Sequence, residues 1–143
     1  MSEHRYEQTI VAAARPEDVW SVLVDVEAWP RWTASMSQVE LTTPGPLRLG
    51  SVAKVRQPRL APATFTVTEY DAGKSFAWST GNRWLRTTGD HRIEPAGDGS
   101  RITLTLRQEG PLAGLVRVFY RGLITRYIGL EAQGLKHESE SRA

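Results

Sequence analysis

The chain has 143 residues, 40% of them hydrophobic and 24% charged, and a formal net charge of +2 from 18 basic and 16 acidic side chains. That length suits one domain, which at this size buries roughly 70% of its unfolded surface and needs neither metal nor disulfide to hold a core. The lack of any cysteine excludes disulfides, thiolate metal sites and cysteine nucleophiles, and matches the usage of a cytoplasmic protein.

Glu3, His4, Arg5 and Glu7 interrupt any apolar run at the N-terminus, so no signal peptide is expected. Residues 4–12 alternate as a strand, with Tyr6, Gln8, Ile10 and Ala12 on one side. Pro16 suits a first helical turn and Glu17 and Asp18 complement a helix N-terminus, so 16 to about 27 reads as an amphipathic helix carrying Val19, Trp20 and Leu23. Pro30 ends it, and the residues around Trp32 form a second short helix or turn. From Ser37 the period becomes two. Val39 and Leu41 mark a strand stopped by Pro44-Gly45-Pro46, and Ala53, Val55 and Gln57 mark another stopped by Pro58. Residues 63–70 set Phe65 and Val67 against Thr64, Thr66 and Thr68, and Glu69 shares the Phe65 face. Asp71–Lys74 is a hairpin turn into Phe76, Trp78 and Thr80, and Gly81-Asn82 turns into a strand over 85–94 bearing Gly89, His91 and Ile93. After Gly97-Asp98-Gly99, Ile102, Leu104 and Leu106 alternate with Arg101, Thr103, Thr105 and Arg107.

Gly110-Pro111 closes the run of strands. Leu112, Leu115, Phe119, Leu123, Tyr127 and Leu130 then step by three and four, predicting a helix from about 111 to 137, roughly 40 Å long. Arg117, Arg121 and Arg126 read as its solvated face. With the other charges interspersed, no nucleic-acid partner is expected. The polar tail from His137 to Ala143 is expected to fray. No stretch approaches the ~20 apolar residues of a membrane span, so no stable membrane insertion is expected. A six-residue strand spans only about 20 Å, so one long helix against seven short strands implies a sheet that curls around it.

This order resembles the START-like (SRPBCC) superfamily of polyketide cyclase/dehydrase and lipid-transport proteins. The resemblance rests on Ala14-Arg15-Pro16-Glu17-Asp18-Val19-Trp20, on Asp25-Val26-Glu27-Ala28-Trp29-Pro30-Arg31-Trp32, on Arg56-Gln57-Pro58-Arg59-Leu60 and on the stretch Gly89 to Pro95. It extends to about residue 136. It implies an α+β helix-grip fold, a curved seven-stranded antiparallel sheet around a long C-terminal helix with two short helices after the first strand. It also implies a deep cavity between sheet and helix that takes a lipid, polyketide or other aromatic molecule.

The strand phases put Ala53, Val55, Gln57, Phe65, Val67, Phe76, Trp78, Thr80, Gly89, His91 and Ile93 inside, with Leu115, Phe119, Leu123 and Tyr127 from the helix. All but Ala53, Thr80, Gly89 and Ile93 are expected ligand contacts. Periodicity reports burial, not emptiness, so the same residues also describe a filled core. His91 either acts on a ligand near neutral pH or is bonded to a backbone carbonyl. Tyr127 either offers its hydroxyl to a ligand or holds its tip at the surface. Gln57 either orients a ligand or binds the backbone of the next loop. Trp29 and Trp32 are expected to pin the short helix to the sheet rim, and Glu69 to form a rim ion pair with Arg86 or Arg56. Gly114, Gly122 and Gly129 interrupt the helix, either for close approach or as tolerated positions. No histidines or carboxylates stand at metal-ligand spacing, so neither metal nor cofactor is expected. Arg56 and Arg86 fall on the outward phase, which leaves an apolar inner face short of charge. Three functions suit it: a non-catalytic binder of a hydrophobic metabolite, a polyketide cyclase or aromatase using His91 and Tyr127, and a co-chaperone-like protein-interaction module.

Overall fold

A computed structural model describes residues 2–142. Strand β1 (Ser2–Ala12) leads into helix α1 (Pro16–Val24), whose first turn holds Pro16, Glu17 and Asp18 and whose buried side is Val19, Val22 and Leu23. The helix stops at Asp25, short of residue 27, and the chain tightens into a 3-10 turn over Val26–Arg31 that accommodates Pro30. Six strands then follow as consecutive hairpins: β2 (Gln38–Leu41), β3 (Val52–Arg56), β4 (Ala63–Asp71), β5 (Ser75–Gly81), β6 (Arg86–Ala96) and β7 (Gly99–Gly110). Gly73 and Gly97 adopt positive φ at two of the reversals, where a side chain would be strained.

The strands form one antiparallel seven-stranded sheet in the order β1-β7-β6-β5-β4-β3-β2. The first strand therefore pairs with the last, from Ser2 opposite Gly110 to Ala12 opposite Ser100. The long helix α2 (Ala113–Arg142) lies against β1 and β7, burying Ile124, Ile128, Ala132 and Leu135. This is the helix-grip α+β architecture that the alternation and the long helix imply. No helix among the described residues is long and apolar enough to cross a membrane.

Two local expectations are corrected. The tail does not fray at residue 137: α2 runs on to Arg142, with Ser139 fully buried. Lys136–Glu140 (2.7 Å) and Arg142–Glu138 (2.9 Å) brace this last stretch, and Glu140 also accepts a bond from the Ala13 backbone at 2.8 Å. Glu69 does not share the Phe65 face. A β-bulge between Val67 and Glu69 flips the phase, leaving Glu69 exposed and turning Tyr70 towards Trp20, ring centroids 5.7 Å apart. No ion pair of Glu69 occurs among the described residues. Of the helix glycines, Gly122 and Gly129 face open space, as tolerated positions do, and the one that permits close approach is Gly134, which lies against Trp32.

Candidate functional site

The concave face of the sheet carries an aromatic cluster. Trp29, fully buried, donates its indole N–H to the Leu23 carbonyl at 2.8 Å. Its ring centroid lies 5.2 Å from that of Trp78 and 5.4 Å from those of Trp32 and His91. Phe65 meets Trp78 at 5.2 Å, and Phe76 stacks on His91 at 4.3 Å. Trp29 thus sits at the centre of the cluster rather than at a rim. Gly89 lies opposite Trp78 in register, and a Cβ there would make ordinary contact with the indole, 3.4 Å from its Cδ1 and Nε1.

These side chains do not meet α2 everywhere. A cavity of about 320 Å³ remains between sheet and helix, at the lower end of small-molecule pockets. Of the expected ligand contacts, Gln57, Phe65, Trp78, His91 and Tyr127 line it, as do Thr80 and Gly89. Val55, Val67 and Phe76 are buried in the core behind this wall and do not line it.

The helix contacts are corrected. Leu115 and Phe119 point to solvent, and Leu123 is half-buried without lining the cavity. Val116, Tyr120, Ile124, Ile128 and Glu131 line it instead, with Tyr127. The first half of α2 has apolar residues on both faces, Val116 and Ile124 inward and Leu115, Val118 and Phe119 outward.

Two polar ends bound the cavity. At one, the His91 Nδ1 donates to the Phe76 carbonyl at 3.1 Å, since a carbonyl can only accept. The ring is thereby fixed, with Nε2 3.6 Å from the Glu131 carboxylate. When the ring is neutral Nε2 is a lone-pair acceptor; when it is charged, it is the ion-pair partner of Glu131. At the other end stands Gln108, only 5% exposed. Its Nε2 donates to the Thr87 hydroxyl at 3.4 Å, while its Oε1 is buried with no partner. Thr87 pairs with Gln108 and His91 with Leu104, so the two ends are four residues, roughly 13 Å, apart along the strands. Both residues of the far end were within reach of sequence. Gln108 continues the Ile102–Leu104–Leu106 alternation, and Thr87 precedes Gly89 and His91 in phase. Glu131 follows Tyr127 by one helical turn.

The other polar candidates have structural partners. Gln57 Nε2 donates to the Ser35 carbonyl at 3.3 Å, in the loop before β2 rather than the next one. The Tyr127 hydroxyl is not held at the surface; it donates to the Pro58 carbonyl and ties α2 to the loop between β3 and β4. Trp84 is exposed, with the Arg83 guanidinium 5.0 Å over its ring, and Leu85 lines the cavity beside it. No group of three or more histidine and acidic side chains suited to a metal occurs among the described residues.

A long helix gripped by a seven-stranded sheet over a largely apolar cavity defines the helix-grip class of folds. The family is defined by sequence as well: residues 3–140 match the model of the polyketide cyclase / dehydrase and lipid transport family, and the chain belongs to it. The uncharacterized protein Rv2574 of Mycobacterium tuberculosis is 26% identical over 145 residues, spanning 96% of this chain and 85% of that protein. Among solved structures, the Zhui aromatase/cyclase from Streptomyces sp. R1128 superposes with a TM-score of 0.81 at 17% identity, covering 99% of this chain and 96% of that one. TTHA0849 from Thermus thermophilus does so with a TM-score of 0.75 at 19% identity, covering 99% of both chains. At these identities the likeness is one of fold.

Proposed function

We propose that the chain is a cytoplasmic binder of a hydrophobic small molecule with a hydrogen-bonding group at each end, held in the cavity between sheet and α2. The observation that carries this reading is Gln108: a buried amide oxygen with no partner on a predominantly apolar wall. A buried, unpaired acceptor costs about 1–3 kcal/mol. A ligand hydroxyl or N–H at that end supplies the missing donor. At the other end the neutral His91 Nε2 accepts, or Glu131 does. Trp78, Phe65, Val116 and Ile124 provide the apolar contact between. Family membership supports the class of ligand, and the few charged groups facing the cavity support holding rather than transforming it. Native mass spectrometry of protein from its own host tests the proposal by the mass of a co-purified molecule. Titration with lipids and aromatic polyols, followed by Trp78 and Trp29 emission, is the second arm. Silence in both would end this reading.

A second reading is favoured by one observation, the orientation of His91 towards the cavity with Glu131 beside it. In a cyclase, His91 would remove a proton next to a ketone, with Glu131 steadying the imidazolium that forms. Tyr127 is not assigned a role in that chemistry, because its hydroxyl is committed to Pro58. Turnover of a poly-β-ketone thioester that disappears in His91→Ala would favour this reading over simple binding.

A further inference from the structure

The outer face of α2 breaks the usual division of an amphipathic helix. Its inner side packs on the sheet, yet Leu115 (56% exposed), Val118 (76%) and Phe119 (73%) stand together on the opposite side, one turn apart. The Leu112 N–H donates to the Trp84 carbonyl at 3.0 Å, which brings the β5–β6 turn against the start of this helix. Leu112 (42%) and Trp84 (50%) therefore extend the same apolar surface. A contiguous patch of this kind on a small protein marks an interaction site.

Its surroundings say what covers it. Segments 81–87 and 107–130 hold six arginines, at 83, 86, 107, 117, 121 and 126, and one acid, Glu109. Glu109 lies 3.9 Å from Arg107. Since the whole chain is only +2, the remainder carries an excess of acid, and the positive charge is concentrated in these two segments, with Arg121 and Arg126 exposed on α2 beside the apolar residues and Arg83 over Trp84. Two copies of this face would bring like charges together, so self-association is disfavoured. Aromatic and aliphatic side chains flanked by exposed arginines suit the boundary between acyl chains and acidic headgroups.

We propose that the start of α2 and the β5–β6 turn form a docking surface for an anionic lipid bilayer. Val118, Phe119 and Trp84 enter the headgroup boundary, and Arg121 and Arg126 lie against the lipid phosphates. The helix stays on the surface. Tyr120 both lines the cavity and is 40% exposed, so the cavity opens beside this face. An apolar molecule can then pass between bilayer and cavity with little exposure to water. Docking itself does not depend on what the cavity holds.

Flotation of the full chain with phosphatidylcholine vesicles, with and without about one-third phosphatidylglycerol, tests this. The expected result is binding to the anionic vesicles only, lost in about 1 M salt, where the screening length falls to about 3 Å. Arg121→Gln with Arg126→Gln should weaken binding roughly 30-fold. Val118→Ser with Phe119→Ser should weaken it by at least about 30-fold. All four side chains are exposed, so thermal melts should match the wild type, and uptake of a soluble ligand, where one has been found, should be unchanged. Equal binding to neutral vesicles, or none to either, overturns the proposal. So does sedimentation showing a dimer that the serine pair dissolves while vesicles are ignored. Failure to find any ligand for the cavity would leave the vesicle result standing.

Discussion

Replacing Gly134 by alanine puts a methyl group where α2 crosses the end of the 3-10 turn. The added Cβ would overlap the Trp32 carbonyl oxygen and lie 2.9 Å from Trp32 Cε3 and 3.0 Å from its carbonyl carbon, whereas ordinary contact begins at 3.4 Å. A backbone carbonyl cannot rotate away, so helix and turn must move apart. Overpacking of this kind costs typically 1–3 kcal/mol, and contact with backbone places it near the top of that range. Alanine returns about 1 kcal/mol in helix propensity. The net expectation is a loss of about 2 kcal/mol. Gly129→Ala, on the same helix with nothing within 4 Å, should instead gain up to about 1 kcal/mol. Urea denaturation of the two variants should therefore move the midpoint in opposite directions, with melting temperatures separated by roughly 6–12 °C. Trp32 packs on Trp29, and Trp29 on His91, so Gly134→Ala should also weaken ligand binding while Gly129→Ala leaves it intact. Equal or higher stability of Gly134→Ala would refute the idea that this crossing sets the distance between helix and sheet.

Gln108→Leu removes the unpaired amide, so the ligand-free protein should gain about 1 kcal/mol in denaturant titration while ligand affinity falls about tenfold. Affinity unchanged would show that Gln108 does not meet the ligand. Tyr127→Phe deletes the bond to Pro58 and should cost about 0.5–1.5 kcal/mol, with faster ligand entry and exit by stopped-flow tryptophan emission and little change in Kd. Slower exchange would contradict a fastening role for the hydroxyl. The Ala13 N–H and then the Lys136 ammonium hold the Glu140 carboxyl below the usual carboxylate range. Its folded pKa is depressed, so its contribution is complete above the unfolded value and is lost as pH falls through the folded one. Glu140→Gln should lower stability at neutral pH and flatten the acid limb of a stability–pH curve; an unaltered limb would remove this carboxylate from the explanation.

The sheet was legible because most strands bury one side only. Ile102, Leu104 and Leu106 alternate with polar residues, and the structure keeps that phase. The cavity wall on β6 was legible for the same reason: Gly89 and His91 fell on the inner face. What failed has identifiable causes. The β-bulge after Val67 inverts the phase of Glu69, and nothing in the composition of residues 63–70 marks it. On α2, Leu115 with Phe119 and Val116 with Tyr120 both stand at helical spacing, so periodicity alone does not choose between the two faces. The end of the helix looked like a tail because it is polar, although Lys136–Glu140 and Glu138–Arg142 stand at the spacing that braces a helix. Whether side chains leave space between them depends on the separation of sheet and helix. That separation is set by contacts such as Gly134 against Trp32, which lie about 100 residues apart.

The pairing of β1 with β7 has a consequence for how the chain is made. Strand β1 is made well before its hydrogen-bonding partner β7, which follows roughly 90–110 residues later. At about 5–20 residues per second, β1 waits some 4–22 s with its ladder unsatisfied. The meander from β2 onward can pair as each hairpin is translated, but closure of the sheet must await β7. A nascent chain stalled before residue 99 would therefore expose Tyr6, Ile10 and Ala12 to chaperones or to a neighbouring strand edge.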